Sequence, residues 1–117
     1  MERILGEFLR NDPRVKEPPT DQRKLYQDRE GNELWLKLYR QEDGYCLVTV
    51  VSKFPEQGIE VETKYDTGYP AKDQDPLAIC AHYVINDWGV DHFITFHKIF
   101  YLKSTKSKEK GSLSGAF

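Results

Sequence analysis

The sequence lacks the spacings that mark the common catalytic and cofactor-binding classes. It has no Cys-x-x-Cys or His-x-x-x-His pair, and its two cysteines, Cys46 and Cys80, lie far apart inside apolar runs. Zinc needs several ligands converging at short spacing. No metal is therefore expected, and both thiols are expected to be buried and reduced. The eight glycines occur singly, so no glycine-rich loop is available to cradle a phosphate. No Gly-x-Ser-x-Gly turn is present to expose a nucleophilic serine. No cofactor is expected.

The sequence also has no stretch approaching the roughly 20 apolar residues of a membrane span, and its first residues lack the length and pattern of a signal peptide. The expectation is a cytoplasmic protein without membrane contact. Asp73-x-Asp75 is the nearest thing to a hard-cation motif, but it does not continue into a calcium loop, and Asp75 suits a helix cap.

At 117 residues the chain is long enough for one core. Aromatics make up 13% of it, too many for a disordered chain. The net charge of −2 is unevenly spread: from Lys98 onward there are five lysines and one glutamate, or +4, which leaves −6 for residues 1–97. An acidic body argues against broad nucleic-acid affinity, which is mostly phosphate electrostatics.

Periodicity predicts a helix over Glu2–Arg10, where Ile4, Leu5, Phe8 and Leu9 make one apolar stripe. A meander of about four antiparallel strands follows. Lys24–Gln27 and Glu33–Arg40 flank a polar loop with Gly31 available for a positive φ, and Tyr45–Val51 is apolar on both faces, as a central strand would be. Ile59–Tyr65 alternates apolar with charged residues and is the expected exposed edge. Asp75-Pro76 then opens a helix running to Trp88, with Gly89 as its stop and His82 on its solvent stripe. His92–Lys103, rich in aromatic and β-branched residues, reads as a last strand that sets His92 and His97 on opposite faces.

The sum is an α+β fold, with a mainly antiparallel sheet of about five strands in the order helix, four-strand meander, helix, strand, and helices packed on the sheet. Residues 1–103 form the single domain and 104–117 a flexible lysine-, serine- and glycine-rich tail.

Alternation sets Trp35, Lys37 and Tyr39 on one face of their strand, with His97 and Tyr101 joining them if the last strand turns the same way. Under the plainest reading the amino-terminal helix covers this face. Left open, it offers tyrosine and tryptophan anchors for a protein partner. The expected function is a small soluble module that binds a protein, as inhibitor, adaptor or assembly subunit, through this aromatic face or an edge strand. Whether it is an enzyme is left open. The alternative is an RNA-binding module or metal-independent endoribonuclease, with His97, Lys37 and Tyr101 moving protons and holding phosphate, Arg40 as a phosphate contact, and the Lys103–Lys110 tail along the backbone.

Overall fold

The computed structural model describes the backbone of residues 2–42, 45–66 and 75–114, and the side chains within these ranges except at 66 and 105–114. Five strands, β1 (Glu2–Leu5), β2 (Asp21–Gln27), β3 (Glu33–Arg40), β4 (Cys46–Phe54) and β5 (Ile59–Asp66), form one sheet in the order β1-β5-β4-β3-β2. The fold is α+β. β2 to β5 pair antiparallel as the expected meander, and β1 adds a parallel edge beside β5. The sheet is therefore mixed.

Local chemistry explains the hairpins. At the β2–β3 turn Asp28 Oδ1 accepts from the backbone N–H groups of Glu30 and Asn32, both at 2.9 Å, while Gly31 takes the positive φ of 88°. Such an aspartate replaces missing backbone partners in a tight turn. Gly58 plays the matching part before β5 with φ 66°.

Three elements differ from expectation. Glu2–Leu5 is strand rather than helix, and only Ile4 of its residues is buried in the main core. Ile59–Asp66 is flanked on both sides, by β1 and β4, and so is no edge. His92–Lys103 belongs to a helix. After α1 (Pro76–Tyr83) and a π-helical turn over Val84–Trp88, α2 runs from Val90 to Ser114. The backbone expected to begin a tail at 104 continues this helix to Ser114. Residues 43–44, 67–74 and 115–117 lie outside the described residues, and with them Asp73 and most of the expected Asp66–Pro70 turn.

The helix after Asp75 forms as its sequence dictates. Asp75 Oδ1 accepts from Leu77 N at 3.0 Å, and Pro76 occupies the first turn, where a missing N–H costs nothing. The π turn then widens the spiral. Leu77, Cys80 and Val84 stay on the buried line, but Trp88 swings out to 56% exposure, because one wider turn shifts the phase of everything beyond it. Gly89 closes the turn, donating to Val84 O at 2.8 Å with φ 86° and ψ 134°, a backbone region open almost only to glycine. No atom lies within 4 Å of where a Cβ would stand. Gly89→Ala is therefore expected to lose about 1–3 kcal/mol through backbone strain alone, read from urea unfolding.

The two faces of the sheet are covered differently. Leu34, Leu36, Leu38, Val48, Val50, Phe54 and Val61 pack against Leu77, Cys80, Val84, Phe93, Ile94 and Tyr101 of the helices, each large apolar side chain contributing about 1.5–3 kcal/mol on burial. The opposite face is closed by the irregular segment after β1, whose Leu9 and Val15 pack on Tyr39 and Leu47.

Candidate functional site

Sequence alternation correctly unites Trp35, Lys37 and Tyr39 on one face of β3, but not with His97 and Tyr101. Those two sit on α2 and pack on the other face, Tyr101 with its ring 5.1 Å from that of Phe54. The five-residue aromatic surface expected from sequence is thus divided by the sheet. The proposed acid–base trio of His97, Lys37 and Tyr101 is not brought together.

On the β3 face, Tyr39 and Lys37 are buried around a carboxylate that is 0% exposed, Glu62. Tyr39 Oη donates to Glu62 Oε2 at 2.7 Å, Thr49 Oγ1 donates to the same oxygen at 2.7 Å, and the Arg3 guanidinium pairs with Oε1. Arg3 also donates to Tyr39 Oη at 3.0 Å, and Lys37 Nζ lies 2.9 Å from Glu60 and 3.9 Å from Glu62. Glu17, from the covering segment, pairs with Arg3 across the rim.

Burial, then the hydrogen bond to Glu62, holds the Tyr39 phenol far above its ordinary range, so it stays a donor. Burial disfavours the charge of Arg3, but the field and hydrogen bond of Glu62 outweigh it and raise the guanidinium above its ordinary value. This is a closed, mutually satisfied cluster, and its geometry suits holding the covering segment to the sheet. Sequence reading missed Glu62, because a glutamate alternating with apolar residues reads as solvent-facing. The available signal was Lys37 and Tyr39, polar groups on a face that the plain reading had covered.

His97 is enclosed as well. Its Nδ1 lies 2.6 Å from Ser52 Oγ on β4, and its Nε2 lies 2.8 Å from Thr63 Oγ1 on β5. A neutral imidazole donates at one nitrogen and accepts at the other, so both hydroxyls are satisfied. Burial pushes the ring's pKa down to about 3, so it stays neutral. His92 is solvent-exposed and stacks near Trp88, with ring centroids 5.6 Å apart. His82 is exposed on α1 beside Asn86. The separation of His92 from His97 survives the change from strand to helix, since five residues turn a helix well away from its starting side.

Trp35 is half-buried, its indole N–H donating to Glu33 at 2.7 Å and Lys53 Nζ lying 4.2 Å over the ring. Arg40 borders a hollow of about 560 Å³ with Lys16 and Thr20. Among the described residues no group of three His, Cys, Asp or Glu side chains is placed to hold a metal. No helix among them is long and apolar enough to cross a membrane.

With both faces covered, the sheet's edges remain. β2 is guarded by the exposed, mostly charged side chains of Asp21, Gln22, Arg23 and Lys24 and by an irregularity between Lys24 and Tyr26, devices that discourage further pairing. β1 is different. Glu2 N donates to Gly58 O at 2.7 Å and Gly6 N to Glu62 O at 2.8 Å, so the even-numbered residues address β5. By alternation the N–H and C=O of Arg3 and Leu5 point away from the sheet. Beside them lies a groove of about 760 Å³ between β1 and the middle of α2, lined by Ile4, Leu5, Arg10, Phe100, Lys103 and Ser104, with Arg3 at its margin. Arg10 reaches into this edge, its Nε 3.4 Å from Leu5 O.

No family model, curated protein or solved structure matches this chain.

Proposed function

We propose that the chain is a protein-binding module that takes an extended segment of its partner as an added strand along β1. The observation that carries this reading is the outward backbone of Arg3 and Leu5 bordering a groove walled by α2. Strand addition uses such an edge: main-chain hydrogen bonds supply affinity, and a flanking pocket reads the side chains. Of the aromatic residues expected to meet a partner, Tyr39 is buried on the face opposite the helices, Tyr101 is buried beneath α2, and Trp35 is partly open.

Leu5→Pro tests the idea at the backbone, with Leu5→Ala as the control for the side chain that packs toward Leu9, Tyr39 and Leu47. Proline removes the outward N–H of Leu5 while the ladder from Glu2 and Gly6 to β5 stays intact, and edge strands accept proline where the N–H faces solvent. Displayed random peptides of about ten residues, selected on the wild type, are expected to lose most of their binding to Leu5→Pro. The same loss is expected when a selected peptide is N-methylated at alternate positions. Ligands indifferent to both changes would remove strand addition as the mode of binding.

A further inference from the structure

The charges around the groove narrow the partner's chemistry. Arg10 and Lys103 are exposed at its rim, and no acidic side chain among the described residues lines it. Arg3 is already held by Glu62 and Glu17, whereas among the described residues Lys103 has no acidic partner and Arg10 makes only a long contact, 3.4 Å from Leu5 O, that an incoming strand would displace. Between them the surface is apolar: Ile4 lies at the edge of the main core and Phe100 is half-buried against it. The outer edge of β1, which pairs with no further strand among the described residues, fixes an incoming chain in extended form. Successive side chains then alternate between two directions, one toward Ile4, Phe100 and Lys103 on the α2 side, the other toward the side of Arg10 and the covering segment.

Resting on the strand-addition reading, we infer that this groove selects an extended acidic peptide segment in which carboxylates alternate with large apolar side chains. An apolar residue enters the Ile4–Phe100 side, its neighbours place carboxylates toward Arg10, and Lys103 adds positive charge beside the apolar side. A charged rim of this kind governs encounter rate and salt dependence, while the desolvated centre governs residence. A basic or neutral strand gains the same backbone hydrogen bonds but meets two cations without compensation. The rim thereby excludes most extended segments, which a bare edge would accept indiscriminately.

The test uses two blocked peptides of about six residues, one alternating glutamate with leucine and one alternating lysine with leucine, titrated by calorimetry into the full chain. The glutamate peptide is expected to bind at least about tenfold more tightly, and to weaken as salt is raised. In the double variant Arg10→Glu/Lys103→Glu, both positions being exposed, the preference is expected to reverse. Equal affinities, a preference for the lysine peptide, no binding of the glutamate peptide, or unchanged binding in the double variant would each overturn the inference. The two proposals fail separately. Selected ligands that are neutral or basic yet sensitive to Leu5→Pro leave strand addition standing and remove the acidic preference. A glutamate peptide that binds Leu5→Pro as well as wild type keeps the charge selection and removes the strand.

Discussion

Glu62→Ala is expected to destabilise the fold by about 3–5 kcal/mol, the usual cost of removing one partner from a buried ion pair. The carboxylate accepts from Tyr39, Thr49 and Arg3 at a position with no solvent exposure. Its removal leaves the Thr49 hydroxyl without its acceptor and Tyr39 and Arg3 with only Glu17, while Lys37 loses a nearby charge. In a domain of this size the change corresponds to a Tm drop of roughly 10–20 °C. The control is a triple variant, Glu62→Leu with Arg3→Met and Tyr39→Phe, which removes the polar partners together and is expected to recover much of the loss. A shift under about 1 kcal/mol for Glu62→Ala, measured by urea unfolding, would mean that the cluster does not hold the covering segment.

The second large effect is on pH. The His97 pKa is pushed down to about 3 by burial, against about 6.5 for an unfolded histidine. Between these values the unfolded chain binds a proton that the folded chain refuses. Stability attributable to this site is therefore unchanged above pH 6.5 and falls with decreasing pH through the window from 6.5 to 3, by about 1.4 kcal/mol per pH unit. From pH 7 to 4.5 the loss is about 2–3 kcal/mol. His97→Gln keeps a donor and an acceptor for Ser52 and Thr63 but does not titrate. The stability difference between wild type and His97→Gln should narrow steadily as pH falls from 6.5 to 5, before most carboxylates begin to protonate. A constant difference over that interval would show that His97 takes up its proton in the folded state.

The parts of this structure written in local chemistry were legible. The Asp28 loop, Gly31, the alternation of β3 and the Asp75-Pro76 cap each depend on residues a few positions apart. β1 was not, because its partner lies more than fifty residues away in β5, and four residues of mixed pattern carry no sign of parallel pairing. In α2 the sequence supports two periods at once. Phe93, Ile94, His97 and Tyr101 follow helical spacing and are buried, while Phe96, Ile99 and Leu102 are 44–48% exposed. Their apolar character fills in the pattern until it resembles a strand with two apolar faces. The π turn hid the exposure of Trp88 for a related reason: sequence spacing assumes a constant number of residues per turn. The candidate site inherits these gaps. Its charged rim was visible only as scattered cations until β1 and α2 were set side by side.

The pinning of α2 has a mechanical consequence. Ser52 and Thr63 grip the helix at His97, Tyr101 is its last buried side chain among the described residues, and Phe100, Lys103 and Ser104 form the groove wall at and just past that point. The wall is the overhanging part of a cantilever whose clamp lies inside the domain. Its position relative to β1 is held by core packing of Phe93, Ile94 and Tyr101 together with the Ser52 and Thr63 contacts of one imidazole.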